Sequence, residues 1–235
     1  MRQEETGRMI NKIVQSMADA MAGIQDGSTV LLAGFGSVGQ PNQLLDGLIE
    51  QGARELVVAA NNAGSGHVGL ARLMELGRVR KIICSFPRSS DPVVFETLYR
   101  AGKIELEIVP QGTLAERIRA AGAGVPQFFT ATGVGTRMAV GKEHREIDGR
   151  TYILENALKG DVGLIEAWEA DRWGNLTYKL AGRNFNPIVA MASALSIVQT
   201  QHIRELGEMN PDHIVTPGIF VDRVLHVPYG DPGSF

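Results

Sequence analysis

The chain has 235 residues, 44% of them hydrophobic and 21% charged, which is enough to bury one substantial core without disulfide or metal staples and rules out a disordered or mini-protein reading. Twenty-three basic residues set against 26 acidic ones leave a formal charge of −3, so no electrostatic footprint for nucleic acid or an anionic membrane surface is present. A small-molecule partner is expected instead. The first eight residues carry no apolar stretch, and no apolar run approaches the roughly 20 residues of a membrane span. The lone cysteine, Cys84, lies in the apolar run Lys81 to Ser85 and has no internal partner; it is expected as core filler in a chain of the reducing cytoplasm.

Apolar residues at Ile10, Ile13, Val14, Met17 and Met21 predict a helix over 9–21 that stops at Gly23, and the Asp26-Gly27 turn leads into a buried strand, Thr29 to Ala33. A loop from Gly34 to Gly39 follows. The next helix starts at Pro41, turns Leu44, Leu45, Leu48 and Ile49 inward and ends at Gly52, ahead of strand Leu56 to Ala60. The pattern then repeats. Loop Asn61 to Gly66 gives way to a helix carrying Leu70, Leu73 and Met74, then strand Lys81 to Ser85, helix Asp91 to Tyr99 and strand Ile104 to Val109. Short apolar runs without alternation, each separated by an amphipathic helix, are strands covered on both faces, which defines an α/β fold with an open, mostly parallel sheet. A helix through Leu114 and Ile118 precedes a long Gly/Pro-rich excursion near 122–150, and further strands are expected at 152–154, 162–168, 196–199 and 224–227, with a turn at 171–175. No low-complexity linker divides the chain, so 9–235 reads as one domain.

In a parallel sheet, ligands bind at the carboxyl ends of the strands. Three loops there carry candidate chemistry. Gly34-Phe35-Gly36-Ser-Val-Gly39 has the Gly-x-Gly-x-x-Gly spacing between a strand and a helix. A nicotinamide site also wants an acid at the end of the second strand, where this chain has Asn61-Asn62, so phosphate on backbone amides and a structural tight turn stay open beside it. The carboxamides of Asn61 and Gln111 can donate to a carbonyl or oxyanion without adding charge, although Asn and Gly also suit turns. Arg88, closing the third strand, could fork onto a carboxylate. His67 reads as a polar loop residue rather than a base. Glu155-Asn156 lies at a strand end with no neighbouring activator, and no Gly-x-Ser-x-Gly elbow, Walker loop or metal-spaced His/Cys cluster is present.

Taken together, the ordered motifs resemble the class I coenzyme A transferases, specifically the A (alpha) subunits that act on 3-oxoadipate and other 3-oxo acids. The segments are Ile10-Asn-Lys12, Asp26-Gly27, Gly34-Phe-Gly36-Ser-Val-Gly39-Gln-Pro41, Asn61-Asn-Ala-Gly64 and Tyr99-Arg-Ala-Gly-Lys-Ile-Glu105. They continue with Pro110-Gln-Gly-Thr-Leu-Ala-Glu-Arg117, Thr132-Gly-Val-Gly-Thr136, Asp171-Arg-Trp-Gly-Asn-Leu-Thr-Tyr178, Ala181-Gly-Arg-Asn-Phe-Asn-Pro187 and Thr216-Pro-Gly-Ile-Phe220. Residues 1–8 lie outside the match as an N-terminal extension.

The resemblance implies transfer of CoA from succinyl-CoA to 3-oxoadipate, with acetoacetate as the alternative acceptor, through a glutamyl-CoA thioester. The nucleophilic glutamate would belong to a B (beta) subunit within Glu-Asn-Gly, a motif this chain lacks, so no catalytic nucleophile and no metal site is assigned here. It further implies an α2β2 assembly, no permanently bound cofactor, a loop Gly34, Phe35, Gly36 against the CoA thioester, and Asn61 and Gln111 facing the acyl oxygen. Arg88 would hold the second carboxylate of 3-oxoadipate. Where the family has Gly-Gly-Phe this chain has Ala33, harmless if Ala33 ends the strand and damaging if its backbone must take a positive φ. A nicotinamide dehydrogenase and a non-catalytic metabolite-sensing domain are the rival readings.

Overall fold

A computed structural model describes residues 10–227; the expected extension at 1–8 and the first position of the expected 9–21 helix lie outside the described residues. In chain order the elements are β1 (Ile13–Val14), α1 (Met17–Met21), β2 (Thr29–Leu32), α2 (Asn42–Gln51), β3 (Leu56–Asn62), α3 (Gly69–Glu75), β4 (Val79–Phe86), α4 (Val93–Arg100), β5 (Glu105–Ile108) and α5 (Gln111–Gly122). They continue with β6 (Gln127–Thr130), β7 (His144–Ile147), β8 (Arg150–Asn156), β9 (Gly160–Asp171), β10 (Leu176–Thr177), α6 (Asn186–Ala192), β11 (Ser193–Arg204) and β12 (Arg223–His226).

Nine strands form one sheet in the order β1-β12-β11-β9-β2-β3-β4-β5, with β10 paired to β9. Every pairing in it is parallel except β10 with β9. Successive residues of β2 explain why the sheet needs cover on both sides. Val30 and Leu32 pack with Leu44, Leu48 and Leu73 from α2 and α3, while Leu31 packs on the other face with Leu114 and Ile118 of α5 and Val189 of α6. Each such leucine, fully removed from water, contributes roughly 1.5–3 kcal/mol. From β2 the chain winds outward through β3, β4 and β5, then returns to lay β9, β11 and β12 on the opposite side of β2. The order therefore reverses between β2 and β9, and the loop that leaves β2 stands at the carboxyl edge of the sheet, where parallel sheets bind ligands.

Two expectations need correction. The expected helix over 9–21 is a strand and a short helix: Ile13 and Val14 pair with Val224 and Leu225 at the sheet edge, and the helix starts only at Met17, after Ser16 Oγ accepts from Asp19 N at 3.1 Å. β-branched residues gain more from an open sheet edge than from a first helical turn. The excursion near 122–150 is also more than loop, since β6, β8 and β7 form a three-stranded antiparallel sheet. Its hairpin turns at Asp148-Gly149, with φ of 50° and 72°, the two positive values that a type I′ turn demands.

Candidate functional site

At the switch point β2 runs straight into the glycine loop. Ala33 continues the strand, 2% exposed, its N–H donating to Leu164 O at 3.1 Å, and it is absent from the residues of positive φ. Its methyl is therefore harmless. Phe35 and Val38 then exchange backbone hydrogen bonds of 3.0 and 3.2 Å, closing a two-residue turn whose first central residue, Gly36, takes φ 63°, a backbone that an L side chain resists by about 1–2 kcal/mol. A cavity of about 1060 Å³ opens beside this turn, walled by Phe35, Gly36 and Ser37 on one side and by Asn61, Ser85 and Gln111 at the ends of β3, β4 and the start of α5.

Ser85 Oγ lies 2.9 Å from both the backbone oxygen and Oδ1 of Asn61. With its oxygen occupied, the Asn61 amide offers its NH2 end as donor. Asn62 instead shapes the turn, its Oδ1 accepting from Gly64 N at 2.9 Å. Gln111 is the first residue of the 12-residue helix α5, where the partial positive charge of the helix start adds to a donor side chain. Two amides thus come together with the glycine turn, and the site can hold a carbonyl oxygen or a developing oxyanion without any cation touching it. Among the described residues no three His, Cys, Asp or Glu side chains converge as metal ligands.

Arg88 is not brought to the cavity. Its Nε donates to Glu96 Oε1 of α4 at 2.9 Å, its side chain is 74% exposed, and Arg100 engages the other oxygen of Glu96. The neighbouring Ser89 and Ser90 line the wall instead. The expected carboxylate clamp is corrected on that ground: α4 supplies a carboxylate that captures the guanidinium. The basic side chains that do line the cavity, Arg72 and His67, are both tied to Glu75, at 2.6 Å and 3.0 Å. Arg72 and then His67 hold the Glu75 carboxyl below its ordinary range. The sequence carries no signal for Arg72, because an exposed helical arginine gains meaning only where α3 borders the cavity.

Other residues with reactive names are structural. Cys84 is fully buried, and burial pushes its thiol up to about 12. Glu155 is 1% exposed and held by Arg117 and by Lys142 Nζ at 2.5 Å. Asp171 accepts from the backbone N–H groups of Trp173 and Asn175 and from Asn175 Nδ2, which explains the Asp-x-x-Gly-Asn run as a turn.

Residues 14–226 match the family described as coenzyme A transferase. The chain is 60% identical over 219 residues to the A subunit of the 3-oxoadipate CoA-transferase of Pseudomonas putida, covering 93% of this chain and 95% of that one. It is 47% identical to the A subunit of a probable succinyl-CoA:3-ketoacid coenzyme A transferase of Bacillus subtilis, covering 92% and 90%. Among solved structures, an acyl-CoA transferase from Escherichia coli O157:H7 superposes with a TM-score of 0.82 at 21% identity over 95% of this chain; the present chain spans 48% of that protein's length.

Proposed function

The chain belongs to the coenzyme A transferase family, and from that premise we propose that it is the A subunit of an enzyme that moves CoA from succinyl-CoA to 3-oxoadipate. One observation carries the reading: the glycine turn and the amides of Asn61 and Gln111 border a single cavity, in a chain that carries no Glu-Asn-Gly motif. Such a wall suits a thioester carbonyl, and in this reading the attacking carboxylate arrives from a second polypeptide. In this reading a B subunit contributes the glutamate that forms the glutamyl-CoA thioester. CoA itself is substrate, with no permanently bound cofactor, and the reducing cytoplasm suits the single buried thiol.

Apolar side chains stand exposed around the mouth of the cavity, Phe35 at 50%, Val68 at 75% and Phe86 at 61%. Their burial against a partner supports a B subunit seated across the carboxyl rim, and two such pairs make the α2β2 assembly. Succinyl and 3-oxoadipyl groups each retain a free carboxylate once the other is a thioester, and Arg72 supplies a positive charge on the cavity wall.

A transfer assay, run on the chain by itself and after co-purification with the B subunit, tests the proposal. The chain alone is expected to give no transfer from succinyl-CoA, and addition of the B subunit is expected to restore it, with 3-oxoadipate preferred to acetoacetate. Turnover by the isolated chain would sink the two-subunit reading, and a preference for acetoacetate would replace the acceptor.

A further inference from the structure

The glycine turn does not hold itself in place. Asn184, which follows a short turn at Leu180–Arg183, reaches both of its ends: Oδ1 accepts from Gly34 N at 3.1 Å, and Nδ2 donates to Val38 O at 3.0 Å. A third contact, Nδ2 to Ala181 O at 2.9 Å, fixes the amide in its own loop. Asn186, fully buried, donates from Nδ2 to Gly39 O at 3.0 Å and to Gly182 O at 2.8 Å, and its Oδ1 accepts from Glu166 N of β9 at 2.8 Å.

Neither asparagine lines the cavity. Both come from the connection between β10 and β11, across the switch point from β2. The junction is also closed sterically, because a Cβ on Gly39 would stand 2.6 Å from Gly182 O and 2.7 Å from Asn184 Nδ2. The turn therefore cannot shift without breaking with this segment, and its height above the strand ends is set from the far half of the sheet.

We propose that Asn184 and Asn186 are positioning residues for the transfer reaction, holding the Phe35–Ser37 wall where a CoA thioester must pass. The proposal rests on the transferase reading and adds to it a second set of residues, acting through the turn rather than on substrate. Asn184 is the informative one, since it is half-buried and lies outside the packed core, whereas Asn186 sits within it.

The test uses Asn184→Ala and Asn184→Asp, the second keeping an acceptor for Gly34 N but losing the donor to Val38 O. Each variant is assayed as the complex with the B subunit, and hydrogen exchange is followed at the backbone amides of residues 33–40. The expected result is a fall in kcat of roughly tenfold or more, since small misplacements of positioning groups cost rate steeply, with the acceptor KM held within about twofold. Exchange at Gly34 should quicken in Asn184→Ala, which loses the acceptor, while in both variants the melting transition and the affinity for the B subunit stay near wild type. Wild-type kcat together with unchanged exchange in both variants would overturn the proposal, as would a loss of rate explained by lost B-subunit affinity. If the wild-type complex transfers no CoA, the transferase reading fails by itself, and the exchange measurement on the chain still decides whether Asn184 holds the turn.

Discussion

At Gly36 the obstacle to substitution is backbone and not space. Its φ of 63° lies in the left-handed region, while a Cβ placed there meets nothing within 4 Å. Gly36→Val is therefore expected to leave the fold intact, at a cost of about 1–2 kcal/mol, and to lower transfer by displacing the turn and narrowing the cavity. Steady-state kinetics of the reconstituted enzyme check this, and unchanged rates would make the turn purely structural. The two arginines separate in the same assay. Arg88 is engaged by Glu96 in an exposed pair, so Arg88→Ala should change transfer to 3-oxoadipate and to acetoacetate alike, by no more than about twofold. Arg72 lines the cavity, and Arg72→Ala should cost about tenfold with 3-oxoadipate, as loss of one charge-assisted contact on a partly exposed side chain implies. Acetoacetate, with no second carboxylate, should lose little. Equal losses on both acids from Arg72→Ala would remove it from substrate recognition.

The three-stranded sheet is joined to the large one by a chain of charges rather than by strand pairing. Lys81 of β4 pairs with Glu107 of β5 at 2.6 Å, Arg117 of α5 bridges Glu107 and Glu155, and Lys142 completes the pair on Glu155 of β8. Arg117 is 11% exposed and Glu155 only 2% in their side chains, so removing one partner strands buried charge. Glu155→Gln is expected to cost about 3 kcal/mol or more in urea unfolding, and a neutral outcome would show the network to be ornamental. Burial opposes ionisation of Glu107, but Lys81 and Arg117 outweigh it and hold the carboxyl below its ordinary range. A carboxyl depressed in the folded state adds stability above its unfolded pKa and loses it as the pH falls through the folded value. The urea midpoint should accordingly decline as pH drops below the ordinary carboxylate range, and Glu107→Gln should flatten that decline.

Across the whole molecule, the carboxyl edge of the sheet carries both the cavity and the exposed apolar side chains. Val68, at 75% exposure, contributes little to the chain's own core, so Val68→Glu should leave its melting transition in place. Against the B subunit the same change buries a charge in an apolar contact, and association should weaken by about tenfold. Titration of the two subunits measures it. Unaltered affinity would move the interface elsewhere on the surface.

How much the sequence reveals depends on how local the cause is. The cycles of helix and apolar run from Asp26 to Val109, with glycines at their ends, dictated a parallel sheet with two covered faces, because burial on both sides leaves each strand apolar throughout. The ordered motifs likewise identified the family, and they pointed to the loop Gly34 to Gly36 and the amides Asn61 and Gln111, of which Phe35, Gly36 and both amides line one cavity. Helical spacing misled at Ile13 and Val14, since only the edge of β12, more than 200 positions away, decides that they extend. The hairpin at Asp148-Gly149 had a local signal, a dipeptide suited to two positive φ values, that was overshadowed by the Gly/Pro-rich stretch before it. Arg88, Arg72 and Asn184 belong to another class. Which carboxylate takes Arg88, whether α3 faces a cavity, and what Asn184 holds all depend on contacts between elements far apart in the chain. No residue's own neighbours encode them; the tertiary structure decides them because a guanidinium or an amide bonds to whatever packing brings within reach.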